Sequence, residues 1–419
     1  MNNNNHNLSV GKINCCQICN SKEISEIIDF GHQAPCDSLI WPEQLSQPET
    51  RYPLKLIRCK KCGLVQIDHV VAAEELFFAD YPYRSGITST LANNLRNTAS
   101  TIVKRYKLAK GSLAIDLGSN DGTLLEGFQR EDMKVLGIEP TNIAKLANKK
   151  GIKTIQKFFN NSLVSAIKKE FGNAEVVTAC NMFAHVAELG SLITGVENLL
   201  VDDGLFVSES HYLMDLIDTV QYDSIYHEHL KYYSVKSIIE LFNYYNFTVI
   251  DIDKIPNYGG SIRVFARKGK FHKVSNKVKN LLQDEIDRGL YEESIYQKFT
   301  RKIKNSKLQL QNLILQVKNN NQTIVGVGCP GRATTLLSYC NLDKDTLSYI
   351  AEQSTSLKLG LFTPGTYIPI VDEKIMLEEQ PDFAIILSWH YWEPIVKNLR
   401  AKGLKSKVVI PLPEVKIID

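Results

Sequence analysis

A chain of 419 residues, 44% hydrophobic and 23% charged, has the make-up of a globular protein. Its length predicts two or three domains at about 100–200 residues each. A net charge of +3 is small and gives no argument for nucleic acid or a membrane surface as a partner, and neither is expected; no apolar run approaches the ~18 residues of a membrane span. Met1 to Asn7 are polar and lack the apolar stretch of a secretory signal. Residues 1–12 are therefore expected to be a disordered lead-in, and the protein to be cytoplasmic.

The nine cysteines are an odd count, and four fall in two C-x-x-C pairs. Cys16-Gln-Ile-Cys19 and Cys59-Lys-Lys-Cys62 each look like a zinc knuckle, a turn that brings two thiolates onto one ion. Four thiolates close a tetrahedral Zn2+ site with no open position, so the expected zinc is structural. Without an export signal, metal binding is favoured over disulfides. The gap between knuckles exceeds the usual ribbon spacing and implies a small insert. Cys15 is a competing ligand, but Cys16 gives the regular spacing. A zinc-binding module over residues 13–80 has little core of its own, so the metal would carry much of its folding free energy.

Tyr81, Tyr83 and Ser85 alternate, and an extended segment would point them to one side. They suit a polar ligand edge, or else aromatic packing between the module and the next domain. Residues 87–106 read as a helix. Leu113-Ala-Ile-Asp-Leu-Gly-Ser-Asn-Asp-Gly-Thr123 then reads as strand, glycine turn and helix start, the first unit of a doubly wound sheet. Glycines let the backbone approach a ligand, and a helix start offers free N–H groups. A second strand, Lys134 to Glu139, ends on a carboxylate suited to the two hydroxyls of a ribose. The spacing D-x-G-x-x-x-G resembles motif I of class I S-adenosylmethionine (SAM) methyltransferases. That resemblance makes Asp116, Gly118, Asn120, Gly122 and Glu139 the candidate cofactor residues.

Helix 142–149 and strand 152–156 continue the alternation. Glu175 to Cys180 is a buried strand, and its C-terminal end places Asn181 and His185 at the ligand crevice. Strand Gly204 to Ser208 leads to Glu209 and His211. The densest polar cluster is Asp223-Ser-Ile-Tyr-His-Glu-His-Leu-Lys-Tyr-Tyr-Ser234, with Tyr226, His227, Glu228 and His229 at its centre. An extended segment would separate Tyr226 and Glu228 from His227 and His229, whereas a tight turn would gather three of them. Histidine has the pKa for proton transfer near neutrality, and a neighbouring carboxylate or phenol can hold its tautomer. The spacing is not that of H-E-x-x-H, which disfavours a metal here.

After helix 235–244 and strand 247–252, Asn257-Tyr-Gly-Gly-Ser-Ile-Arg263 makes a hairpin-like turn. Arg263 is a candidate anion fork, with an ion pair inside the sheet as the alternative. Residues 271–319 read as one or two linker helices. Gly326, Gly328 and Gly331 then fit G-x-G-x-x-G, after a strand and before helix 332–340. Phosphate at that helix start, next to Arg332, is the expected ligand type. Strands at 347–351, 383–387 and 407–411 complete an α/β domain over residues 320–419.

The double C-x-x-C, Asp-Leu-Gly-Ser-Asn-Asp-Gly, Tyr-His-Glu-His-Leu-x-Tyr-Tyr-Ser and Pro-Gly-Thr-Tyr-Ile-Pro occur in one order. Together they resemble the sugar C-methyltransferases of deoxysugar pathways, from residue 13 to near the end. The resemblance implies an α/β protein with an N-terminal zinc-binding module, a central class I Rossmann-like methyltransferase domain at 81–270, and a C-terminal Rossmann-like domain. It implies methyl transfer to C3 of a nucleotide-linked 4-keto-6-deoxyhexose, with the nucleotide held by the C-terminal domain. His229 is then the base, Glu228 orients it or relays protons, and Tyr226 and His185 serve the oxyanion. Tyr81, Tyr83, Ser85, Tyr258, Arg263, Gly328, Gly331 and Arg332 become substrate residues. Tyr258 stands where relatives usually carry histidine, which puts the sugar or its orientation in question.

The chemistry fits these residue types. Carbon becomes nucleophilic when a base removes a proton beside a carbonyl and a donor stabilises the enolate oxygen. A sugar O- or N-methyltransferase would use the same cofactor module. An NAD(P)-dependent oxidoreductase would show dinucleotide spacing in the first glycine turn, and a non-catalytic zinc-bearing protein would bind no SAM. Oligomeric state is open.

Overall fold

The computed structural model describes residues 6–81, 84–86 and 89–419. Tyr83 lies outside the described residues. In the N-terminal module, β1 (Ile24–Gln33), β2 (Tyr52–Cys59) and β3 (Val65–Ile67) pair antiparallel in sequence order. β2 ends on Cys59, and the turn that follows delivers Cys62. The free edge of β3 pairs with Lys231–Tyr232, just after the Tyr-His-Glu-His cluster. The module thus shares a sheet with the segment that carries the proposed base.

In the central domain, α1 (Ser89–Tyr106) precedes β4 (Leu113–Leu117), α2 (Thr123–Arg130), β5 (Lys134–Ile138), β6 (Thr154–Ile155), β7 (Ala174–Cys180) and β8 (Leu200–His211). Every residue of β4 is buried, as a parallel strand covered on both faces requires. With β9 (Phe247–Ile255) and β10 (Ser261–Lys268), the sheet order is β9-β10-β8-β7-β4-β5-β6. β10 runs antiparallel to both neighbours and the other pairs are parallel. The order reverses beside β4, which opens a ligand crevice over the strand C-termini. β8 is longer than the sequence suggests because a register shift between Leu200 and Leu205 lets its first residue still pair.

The stretch 271–319 forms two helices, α3 (Asn276–Asp287) and α4 (Glu293–Asn319), parted at Gly289. They are packed elements rather than free spans. α4 buries Tyr296, Phe299, Ile303, Leu310 and Ile314 at helical spacing, and Thr300 donates to the Ile27 carbonyl of β1 at 2.9 Å.

The C-terminal domain is a second doubly wound sheet. Its elements are β11 (Ile324–Val327), α5 (Ala333–Cys340), β12 (Ile350–Glu352), β13 (Ile370–Asp372), β14 (Phe383–Ile386), β15 (Lys407–Ile410) and β16 (Lys416–Ile418). The order is β13-β12-β11-β14-β15-β16, with only β16 antiparallel. Among the described residues, no helix is long and apolar enough to cross a membrane.

Candidate active site

Cys16, Cys19, Cys59 and Cys62 are buried, with their sulfurs all within 4.8 Å of one another. The closest approaches are 3.4 Å for Cys16–Cys62 and 3.5 Å for Cys19–Cys59. A tetrahedron of Zn–S bonds has edges of about 3.8 Å, so the four thiols fit one zinc ion. Cys15 turns instead to Asn20 Oδ1. Inside the first knuckle, the buried Gln17 amide donates to the carbonyl of Ala187 at 2.6 Å. Lys231 Nζ donates to the carbonyl of Val186 at 2.6 Å. The zinc knuckle and the strand after the 226–229 turn thus both pin the loop that follows His185.

At the cofactor crevice, Gly118 adopts φ 68°, open to glycine at little cost. Its N–H reaches the Ile138 carbonyl at 2.8 Å. The Asn120 N–H donates to Glu139 Oε2 at 3.0 Å, and Thr141 donates to Glu139 Oε1 through both N–H and hydroxyl. Three acceptances leave this buried carboxylate a further lone-pair position for a hydroxyl. Asp116 accepts from Thr178 at 2.6 Å, and burial, with Glu139 nearby, lifts its carboxyl to about 7. Two buried carboxylates, with no cation beside Asp116 among the described residues, suit a cationic ligand with a ribose. Gly122 has φ 80°. Asn181 has φ 56° and donates its N–H to the Glu209 carbonyl. Ser85 lies close to the cofactor loop. It sits in a turn whose N–H meets Asn120 Oδ1 at 2.8 Å, against the cofactor loop.

The cluster at 226–229 is a tight turn, closed by His229 N–H to the Tyr226 carbonyl at 2.9 Å. His227 is turned away and its Nε2 meets the Pro53 carbonyl at 3.1 Å. His229 Nδ1 donates to the Ser224 carbonyl at 2.8 Å, which can only accept. That bond assigns the tautomer with Nε2 as acceptor, and Tyr226 donates to Nε2 at 2.9 Å. Burial first, partly offset by the Ser224 bond, holds His229 at about 4, so it is neutral at pH 7. The group that orients His229 is therefore Ser224, not Glu228. Glu228 instead accepts from Tyr81 at 2.9 Å and Cys36 at 3.2 Å. Burial, and then the charge of Asp37, lifts it to about 8. The His185 and His211 rings flank His229 at centroid distances of 4.9 and 4.8 Å. Both are pushed well below the usual imidazole range, first by burial.

The remaining substrate candidates are engaged within the protein. Arg263 pairs with Glu209 across the β8–β10 register at 2.7 Å and donates to Thr98. Tyr258 has φ 55°, and its ring lies 6.2 Å from that of His211. Arg332 grips Asp223 through two bonds of 2.7 Å, and Trp389 Nε1 adds a third at 2.8 Å. Gly328 has φ 75°. A Cβ on Gly331 would lie 2.9 Å from Asp37 Oδ2 and 3.2 Å from Cys36 Sγ. The place where a phosphate was expected is thus closed by the N-terminal module. Lys358 Nζ holds Asp37 at 3.1 Å and the Cys329 carbonyl at 2.8 Å.

Sequence reasoning passed over Cys36, Asp37, Asp223, Lys358 and the catalytic-side position of His211. His211 carried a signal, because it ends a strand of the parallel sheet. Cys36, Asp37 and Lys358 lie in segments without a motif, and Asp223, at the edge of the polar cluster, meets Arg332 only through tertiary packing.

Three family models match the chain: "Putative zinc binding domain" over residues 16–77, "Methyltransferase domain" over 91–252 and "C-methyltransferase C-terminal domain" over 256–413. C-methyltransferase NovU of Streptomyces niveus is 30% identical over 414 residues, covering 98% of each chain. Among solved structures, the PH0226 protein of Pyrococcus horikoshii OT3 is 15% identical over 45% of this chain and 96% of its own, with a TM-score of 0.36. Magnesium protoporphyrin IX methyltransferase of Synechocystis PCC 6803, with bound SAH, is 11% identical over 45% of this chain and 90% of its own, with a TM-score of 0.34.

Proposed function

The chain belongs to the C-methyltransferase family and is a SAM-dependent methyltransferase, and from that premise we propose that it methylates C3 of a nucleotide-linked 4-keto-6-deoxyhexose. The observation that carries the reading is His229 Nε2, left without a proton by the Ser224 bond on the opposite nitrogen, in a ring that burial keeps neutral. When bound, SAM supplies an electrophilic methyl on its sulfonium. His229 Nε2 takes the proton from C3 of the ketosugar. The Tyr226 hydroxyl, freed from Nε2 as that nitrogen is protonated, turns to the oxygen at C4. His185 and His211, both neutral, flank the same space and supply further donors. Glu228, lifted to about 8 by burial, accepts the Tyr81 hydroxyl and so fixes Tyr81 beside the turn that carries His229. Asp116, Gly118, Asn120, Gly122, Glu139 and Asn181 hold the cofactor, and Tyr258 lines the sugar side.

The test incubates zinc-loaded protein with SAM and a panel of nucleotide-linked 4-ketohexoses, read by mass and NMR. One methyl on C3 with loss of the C3 proton is expected. His229→Ala should lower turnover by about 10²–10⁴-fold, the usual worth of a positioned base, while calorimetric SAM binding survives. Near-native turnover in that variant would sink the assignment, and methyl on oxygen or nitrogen would replace the reaction.

A further inference from the structure

Three parts of the chain converge on Ser224. Its carbonyl accepts from His229 Nδ1 at 2.8 Å and from the Tyr232 hydroxyl at 3.0 Å. That carbonyl shares one rigid peptide plane with the Ile225 N–H, which donates to the Tyr222 carbonyl at 3.0 Å. The residues on either side are held from the C-terminal domain. Before Ser224, the Asp223 carboxylate takes two bonds from Arg332 and one from Trp389. After it, the Ile225 carbonyl takes the Thr335 hydroxyl at 2.8 Å. Arg332 and Thr335 stand three residues apart at the start of α5, which puts them on one face of the helix. Arg332 also donates to Gln221 Oε1 at 3.2 Å, at the start of the same turn. Asp223, Ser224, Ile225 and Thr335 are each at most 1% exposed.

We propose that α5 positions the base of the neighbouring domain: Arg332 and Thr335 aim the Ser224 carbonyl at His229 Nδ1 and so keep the ring proton off the nitrogen that must accept from substrate. The inference rests on His229 being the base. A neutral imidazole carries its proton on either nitrogen, and the bond made by one nitrogen decides the state of the other. With the carbonyl in place, Nδ1 keeps the proton and Nε2 keeps its lone pair. With the carbonyl tilted away, the proton exchanges onto Nε2. The Tyr226 hydroxyl, 2.9 Å from Nε2, can accept that proton as readily as it donates its own, and the ring then has no free lone pair on the substrate side. Thr335 is a positioning residue in this account, acting through Ile225 and Ser224. Its burial keeps it from any substrate, so a change there reads the positioning alone.

The experiment pairs turnover with nitrogen NMR of histidine-labelled, zinc-loaded protein saturated with S-adenosylhomocysteine. His229→Gln identifies the His229 ring signals by difference. In the unsubstituted protein Nδ1 should be protonated and Nε2 bare. Thr335→Val keeps the shape of the side chain and removes the hydroxyl. It should give a mixed tautomer at His229 and lower kcat by about 3–10-fold, the worth of one hydrogen bond, on the 4-ketohexose that is methylated in the panel above. S-adenosylhomocysteine affinity should stay within about 2-fold. Thr335→Ser returns the hydroxyl and should restore both readouts. Arg332→Lys keeps a charge beside Asp223 without the two-pronged grip. It should shift the tautomer in the same direction, and it carries the test if Thr335→Val fails to fold. An unchanged tautomer, a fall in kcat without a tautomer change, or a tautomer change with kcat intact overturns the inference and leaves His229 as the base. Near-native turnover in His229→Ala overturns the base and this inference with it.

Discussion

The two doubly wound halves share their first turn and part company around it. Two residues before the turn glycine, the central domain has Asp116, whereas the C-terminal domain has Gly326, where a Cβ would lie 2.9 Å from Ile350. At the next glycine bend, Gly122 faces Ile152 of its own domain, while Gly331 faces Asp37 and Cys36 from the N-terminal module. Past that point the first half starts its helix at Thr123, but the second spends Arg332 on Asp223, beside the 226–229 turn. A glycine pattern fixes a backbone path. What lies along that path is decided by distant residues, and here one copy keeps a cofactor crevice while the other helps to hold three parts of the chain together.

The contrast breaks first at Arg332. Its pair with Asp223 leaves the two side chains 8% and 1% exposed. Arg332→Ala would strand a buried carboxylate with Trp389 as its remaining donor. Loss of one member of a buried pair costs about 3–5 kcal/mol, so denaturant unfolding should show a loss of that order. Replacing both partners, as Arg332→Met with Asp223→Leu, should recover most of it. A loss below about 1 kcal/mol in the single variant would mean that the pair behaves as an exposed one, and the docking role of the second turn would fall.

A second contrast is electrical, since two residues before the turn glycine the central half has a carboxyl and the other half has none. Asp116 sits at about 7 when folded, raised by burial, against about 3.9 unfolded. Between those values the folded state binds the proton more tightly. Its contribution is full below about pH 4 and is lost as pH rises towards 7, an upper bound of ~4 kcal/mol. His229, depressed by burial, slopes the other way between about 4 and 6.5. The informative quantity is therefore the difference between wild type and Asp116→Asn at each pH. That difference should shift in favour of Asp116→Asn as pH rises through this window. A pH-independent difference would place the Asp116 proton elsewhere.

Much of this arrangement is written locally in the chain. The paired C-x-x-C spacing, the strand–glycine–helix units and the strand ending at Glu139 are short-range patterns, and each appears where its pattern puts it. The turn at 226–229 was one of two open conformations, because alternation and turning both satisfy four polar residues. Packing against β2 chooses between them by drawing His227 to Pro53. Long-range pairing was illegible for a different reason. Nothing near Gly331 in sequence announces Asp37, and nothing near Arg332 announces Asp223, so a G-x-G-x-x-G pattern read as a phosphate cradle. Arg263 shows the same limit, since both an anion fork and a sheet ion pair suit its position, and the register opposite Glu209 selects the pair.

The finest contrast sets the two glutamates against each other. Glu139→Gln retains an acceptor for the Asn120 N–H and loses only the charge that favours a ribose diol. A hydrogen bond to a charged group is worth about 1.5–3 kcal/mol, so SAM affinity should fall by roughly 10–100-fold in calorimetry. Nucleoside diphosphate binding should be unmoved. Glu352→Gln should leave SAM affinity unchanged, because each carboxylate is tied to its own loop, at 3.0 Å in one half and 2.5 Å in the other. If Glu139→Gln weakened both ligands equally, the halves would be coupled through Asp37 and Glu228 rather than acting as two independent sites. If it weakened neither, the shared plan of the two turns would be a property of the backbone alone.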